Sequence, residues 1–284
     1  MIDVKHLSHS YTNDDKLAVK DISFHVEKGK TFGFLGPSGA GKSTTQNILT
    51  GLLPLQQGDV TVAGYDIRKK DQKRFNSIGV SFEQSNVYGK LTALENLQFY
   101  ASLFDGPTVD PMELLKLVGL EEHAGQRAST FSKGMKHRLT FARSMINHPE
   151  LWFLDEPTTG LDPAIANEIK DIIKEKKSDG TTIFLTTHNM YIAEELCDEV
   201  AFMVDGEIKL IDTPKNLKLK FGSKAVDVEY ALDGKNMKES FLLSNDLEKQ
   251  RLSDCINTRD IITMHTKEAT LEQIFIEVTG KELE

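Results

Sequence analysis

The stretch GPSGAGKST, Gly36 to Thr44, limits the possible folds of this chain more than any other, because of what stands on either side of it. The apolar run TFGFL precedes it and the segment TTQNILTGLL continues from it, so a strand leads through a glycine-rich loop into a helix. Gly36, Gly39 and Gly41, spaced by Pro37, Ser38 and Ala40, let backbone amides turn inward toward phosphate oxygens. Lys42 adds a charge that reaches the β- and γ-phosphates, and the Ser43 hydroxyl, next to Thr44, is placed to coordinate Mg²⁺. A merely glycine-rich turn is the alternative, and the flanking strand and helix speak against it. The pattern implies a nucleoside triphosphate site on an α/β fold.

The remainder of the first two-thirds fits that fold. LWFLDEP (Leu151 to Pro157), TIFLTTH (Thr182 to His188) and EVAFMVDGEI (Glu199 to Ile208) read as further buried or half-buried strands. Helical segments follow the first three of the four strand runs, which predicts a parallel sheet with crossover helices. Strand signals vanish between about residues 86 and 147, where Leu94, Leu97 and Ala101 open a helix-rich insertion. After Pro214 the character changes. AVDVEYAL and IITMH read as strands with a helical stretch between them, and ATLEQIFIEVTG places Leu271, Ile274, Phe275 and Val278 on one helical face. Residues 1–214 are therefore expected to form the nucleotide-binding domain, and residues 215–284 a small α+β appendage.

Several other residues carry chemistry. Adjacent carboxylates at the end of a buried strand need cationic partners. Asp155 is suited to Mg²⁺, and Glu156, further out, to polarising a water that attacks the γ-phosphate. His188 follows a strand and falls at the carboxyl edge of the sheet, where ligands gather in doubly wound folds; it can bond the γ-phosphate, orient the water or serve as a structural histidine. Gln84, at the end of SIGVSFEQ, is placed similarly for Mg²⁺ or water, and Tyr11 can stack on adenine or serve as an ordinary strand aromatic. In FSKGMKHR, Ser132 is an N-cap, Gly134 leaves amides uncovered, and Lys133 with Lys136 adds positive charge. That is a second place fit for an anion.

In order, Gly36–Thr44, Gln84, Ser132-Lys133-Gly134-Met135, Asp155-Glu156, Leu161-Asp162 and His188 resemble the ATP-binding cassette (ABC) transporter ATPases over residues 1–214. The resemblance implies a P-loop NTPase core, RecA-like, with ATP and Mg²⁺ as ligands. Two such cassettes pair head to tail in that family, and ATP on one phosphate loop is closed over by the other's signature motif. Ser132 and Gly134 are then expected to meet ATP held by a second ATP-binding subunit, identical or related, and Asp162 to lie near that nucleotide. A separate transmembrane permease is the implied partner, contacted through the helical insertion and holding the chain at the cytoplasmic face of the membrane. The usual signature reads LSGGQ; here Lys133 and Met135 replace its first glycine and its glutamine. The FSKGM form, Leu161-Asp162-Pro163 and the ending TLEQIFIEVTG are similar to the branch that serves ABC-2-type exporters.

Composition narrows the rivals. A net charge of −9 argues against a nucleic-acid partner, and the basic clusters RKKDQKR and KNLKLK read as solvated faces. Cys197 and Cys255 fit no metal spacing and point to a reducing compartment. The N-terminus lacks a signal-peptide pattern, and no window is apolar enough to span a bilayer. A GTPase would show NKxD and DxxG motifs, which are absent. A cassette ATPase working on DNA or ribosomes usually has coiled-coil insertions, zinc motifs or a second cassette, none of which is present. Glu156 and His188 argue against a catalytically dead cassette.

Overall fold

The computed structural model describes every residue except 12–15, 70, 223–224, 233–234, 268 and 282–284. Strands β1 (Ile2–His9) and β2 (Val19–Val26) come first, then β3 (Thr31–Leu35) and helix α1 (Lys42–Thr50). Strands β4 (Gln57–Val62) and β5 (Tyr65–Asp66) complete an antiparallel sheet in the order β2-β1-β4-β5. The sequence reading did not find this sheet. In β1 the pairing with β2 shifts register between Val4 and Leu7 and again between Leu7 and His9. Such bulges break the two-residue alternation by which a half-buried strand is recognised.

Next come α2 (Gln72–Ser77), β6 (Ile78–Ser81), α3 (Ala93–Ala101), α4 (Pro111–Leu117) and α5 (Lys133–Arg143). These lead to β7 (Leu151–Asp155), α6 (Pro163–Ser178), β8 (Thr182–Thr187), α7 (Met190–Leu196), β9 (Glu199–Val204) and β10 (Glu207–Asp212). The second sheet runs β10-β9-β3-β8-β7-β6. Its pairs β3–β8, β3–β9, β6–β7 and β7–β8 are parallel, as the sequence predicts. Because both faces are covered, β3, β8 and nearly all of β7 and β9 are buried along their length. Phe24 of β2 stacks on Phe32 of β3 at 5.4 Å, and Phe153 and Phe184 extend the aromatic layer at 5.6 Å, so the two sheets share one core. Parallel pairing also aligns chain direction. Leu35 lies opposite Thr187, and Asp155 opposite Thr186, which brings the ends of β3, β7 and β8 to one edge.

Helices α3, α4 and α5 occupy residues 86–147. Thr92 and Glu95 form a reciprocal capping box on α3, and Asp110 caps α4.

A second compact unit begins at Asp212. It holds α8 (Pro214–Phe221), β11 (Ala225–Leu232), β12 (Lys235–Leu242), α9 (Asp246–Thr258), β13 (Asp260–Lys267) and α10 (Leu271–Thr279). The sheet order is β12-β11-β13, all antiparallel, with Val226, Val228, Tyr230, Phe241 and Cys255 in its core. The helix expected between two strands is α9, but β12 precedes it and was not anticipated. KNMKESFL buries only Phe241 fully, so it carries almost no apolar pattern. Among the described residues no helix is long and apolar enough to cross a membrane.

Candidate functional site

The loop from Gly36 to Gly41 joins the end of β3 to the start of α1. A Cβ on Gly36 would stand 2.1 Å from the carbonyl oxygen of Met203, so only glycine fits there. Gly41 caps α1 with φ 106° and no side-chain hydrogen bond, which leaves the first amides of the helix uncovered. Lys42 folds back over the loop, donating from Nζ to the carbonyl oxygens of Gly36 (2.7 Å) and Pro37 (2.9 Å). Burial pushes its pKa down, against the attraction of Glu156, Asp155 and Glu83. Ser43 is exposed beside it. Tyr11 makes a 3.0 Å hydroxyl–hydroxyl hydrogen bond to Thr44, packs edge-on with the His9 ring at 5.1 Å, and is 62% exposed as a residue next to the loop.

Asp155 ends β7 and accepts a hydrogen bond from the Thr186 hydroxyl on the facing strand. Burial raises its pKa above the usual carboxylate range; the Thr186 bond opposes this, and Glu156 and Glu83 add to it. The native protein then binds this proton more readily than the unfolded chain, so stability falls as pH climbs through the carboxylate range. Asp155→Asn removes that penalty while keeping an acceptor for Thr186. It should raise the thermal midpoint of the nucleotide-free, metal-free protein at neutral pH by roughly 2–4 °C. A lowered midpoint would mean that the buried charge is already compensated.

Glu156 follows with a left-handed backbone, φ 48°, and is 6% exposed. Its Oε1 accepts from the His188 backbone N–H at 2.8 Å and from His188 Nδ1 at 2.6 Å. Its Oε2 accepts from the hydroxyls of Thr187 (2.9 Å) and Thr159 (3.0 Å). The carboxylate is thus fixed by four donors, and the His188 ring, with its side chain 47% exposed, is oriented by it. A carboxylate locked in this way can orient a water or take its proton without first reorganising.

Among the described residues, Gln84, Ser132, Gly134 and Asp162 make no side-chain hydrogen bond to this cluster. Gln84 is exposed, just beyond the end of β6. The charge that reaches Lys42, Asp155 and His137 from this segment is that of its neighbour Glu83. Ser132 caps α5, accepting from the Met135 N–H at 3.2 Å, and no acidic residue occupies the first turn. Lys133 lies against Gly160, whose added Cβ would be 3.7 Å from its Nζ. His137 bonds the Pro157 carbonyl oxygen at 2.9 Å, tying α5 to the segment after Glu156. Asp162 caps α6, accepting from the Ile165 N–H at 3.1 Å. Among the described residues no hydrogen bond or ion pair joins Ser132 or Gly134 to residues 36–44.

The structure therefore gathers Lys42, Asp155, Glu156 and His188, with Tyr11 beside Thr44, and leaves Ser132 and Gly134 outside that group. The sequence reading missed Thr159, Thr186, Thr187 and Glu83. Two hydroxyls at the end of an otherwise apolar strand, TIFLTT, were the available signal.

The family model described as ABC transporter matches residues 19–159. The fluoroquinolones export ATP-binding protein MT2762 of Mycobacterium tuberculosis (strain CDC 1551 / Oshkosh) is 48% identical over the whole chain and 94% of its own length. The linearmycin resistance ATP-binding protein LnrL of Bacillus subtilis (strain 168) is 32% identical over the whole chain and 99% of its own length. Among solved structures, the dimeric ATP-binding cassette MJ0796 bound to ADP and Pi in a post-hydrolysis state is 27% identical. It matches with a TM-score of 0.69 over 75% of this chain and 98% of its own. The chain belongs to the ABC transporter family, as one of its ATP-binding, ATP-hydrolysing subunits.

Proposed function

We propose that the chain drives an exporter by closing with a second cassette over two molecules of Mg–ATP and separating after hydrolysis. In this reading the amides and side chains of Gly36–Thr44 hold the phosphates, Lys42 exchanges its two loop carbonyls for phosphate oxygens, and Tyr11 stacks on adenine. Ser43, Asp155 and Gln84 hold the metal ion. Asp155 fits that task because its charge is buried with one hydroxyl donor and is raised in pKa accordingly. When bound, Mg²⁺ supplies charge neutralisation on the phosphate oxygens. Glu156 orients the attacking water and accepts its proton, with His188 holding the carboxylate in line.

The observation that carries the paired arrangement is Gly134. A Cβ there would meet nothing nearer than Leu161 Cδ2 at 3.7 Å, so its own chain has no steric need for glycine. What a bare backbone at the first turn of α5 does allow is the close approach of an anion from outside. Charge-assisted hydrogen bonds of about 1.5–3 kcal/mol each make a few such contacts enough to hold two cassettes while ATP remains. Asp162, engaged as the cap of α6, is assigned to shaping that interface beside the nucleotide. Export is supported by the relatives MT2762 and LnrL, which are named for fluoroquinolone export and linearmycin resistance. A separate membrane permease would be docked through the insertion at residues 86–147, placing the chain at the cytoplasmic face, and residues 215–284 are proposed as an accessory unit.

The test is affinity capture of the chain from detergent-solubilised membranes together with steady-state phosphate release. Co-purification of a polytopic membrane protein that stimulates Mg²⁺-dependent ATP hydrolysis is expected. Capture of DNA or ribosomes in its place would favour a cassette that works on nucleic acid.

A further inference from the structure

Arg143 closes α5 at the end opposite Ser132. It is 6% exposed, and burial works against its charge. Its Nη1 donates to the Asn86 backbone oxygen at 2.9 Å and to the Tyr100 hydroxyl at 3.0 Å, and its Nη2 donates to Asn86 Oδ1 at 2.5 Å. Its Cζ also lies 4.3 Å from the centroid of the Tyr100 ring. A planar fork occupied on both prongs and stacked on an aromatic face has one orientation, which a lysine cannot reproduce.

Asn86 stands two residues after Gln84, in the irregular stretch between β6 and α3. The side-chain hydrogen bonds that fix this stretch run to the helical insertion. Arg143 holds Asn86, and Asn96 of α3 accepts from the Tyr88 N–H at 2.8 Å and donates to its carbonyl oxygen at 3.1 Å. Helix α5 is itself fastened at its middle, through His137 and the Pro157 carbonyl oxygen. A helix of this length spans roughly 16 Å and is stiff, so a displacement at the Ser132 end must reach the Arg143 end. The path from the outward-facing first turn of α5 to the Gln84 segment therefore consists of one rigid element and one forked contact.

We infer that Arg143 is a positioning residue: through Asn86 it makes the placement of Gln84 follow α5. The nucleotide that Ser132 and Gly134 meet on a second cassette then sets how Gln84 addresses the metal ion in this chain's own pocket. This rests on the function proposed above. The coupling in binding is reciprocal, so the two pockets bind ATP cooperatively, and loosening the fork lets each act alone.

Three variants test this. Asn86→Ala removes one acceptor and spares the backbone carbonyl, Arg143→Lys keeps the charge and loses the fork, and Gln84→Ala is the reference. Each is measured for the Mg²⁺ midpoint and the Hill coefficient for ATP in steady-state phosphate release, with the thermal midpoint alongside. Each is also placed in a Glu156→Gln background to count ATP-trapped dimers. Asn86→Ala and Arg143→Lys should both raise the Mg²⁺ midpoint roughly fivefold or more, as Gln84→Ala does, and bring the Hill coefficient toward one. The trapped dimer should be undiminished, and adding Asn86→Ala to Gln84→Ala should change nothing further. If Gln84→Ala moves the Mg²⁺ midpoint and the other two do not, the coupling is refuted while the nucleotide site stands. If Gln84→Ala itself leaves that midpoint in place, the role given to Gln84 is wrong and the inference goes with it. A lower thermal midpoint and turnover with both readouts unmoved would reduce Arg143 to a structural anchor.

Discussion

Glu156→Gln is expected to cut steady-state phosphate release by about 10²–10⁴-fold while ATP binding is unchanged. The fold should survive the change, because the hydrogen bonds can be redistributed. The two donors from His188 converge on Oε1, where the amide oxygen of glutamine can accept them both. The new NH₂ group then faces the Thr187 and Thr159 hydroxyls, which can rotate to accept. What is lost is the ability to take a proton from water. With hydrolysis stopped, nothing dissolves the contacts that ATP makes across the interface, so a dimer should accumulate with ATP and disperse when ATP is withdrawn. Size-exclusion chromatography with and without nucleotide reads this directly. Turnover at the parent rate would remove Glu156 from the mechanism.

The second large effect separates shared pockets from private ones. Lys42→Ala damages the phosphate loop, and Gly134→Asp places an acid where phosphate oxygens are expected to approach. Homodimers of either variant contain two broken pockets and should release phosphate near background. A mixed dimer is different if each pocket combines one chain's loop with the other's signature. Both defects then fall in the same pocket, and the remaining one is intact. Mixing differently tagged variants and purifying by both tags should restore phosphate release well above background, to at most about half the parent rate and to less than that by as much as the two pockets cooperate. If each chain works alone, mixing restores nothing. The Gly134→Asp chain should fold normally, since the space around this position is open within its own subunit.

The parts of the site that could be read in the sequence were those where chemistry is written in contiguous residues. Gly36 and Gly41 are needed because Met203 crowds the backbone, Gly39 because its φ is 78°, and Asp155-Glu156 declares itself as charge at the end of an apolar strand. The parallel sheet was legible for the same reason: fully buried strands form unbroken apolar runs. What escaped was relational. The Thr186 and Thr187 hydroxyls matter only because parallel register sets them opposite Asp155 and next to Glu156, and no spacing in the chain states that register. Likewise β1 hides behind two bulges and β12 behind its exposure. Arg143 carries no signal in the sequence, and its contact exists only because the fold sets Asn86 against it.

Lys42 has a consequence for kinetics. Its ammonium bridges two carbonyls of the glycine loop, so that loop is held in shape by the chain's own residues. Capture of fresh nucleotide then requires one side chain to swing rather than a segment to fold, and little ordering entropy is lost on binding. On the proposed pairing, reloading is not expected to limit turnover, and the slow step would lie where two cassettes meet or part.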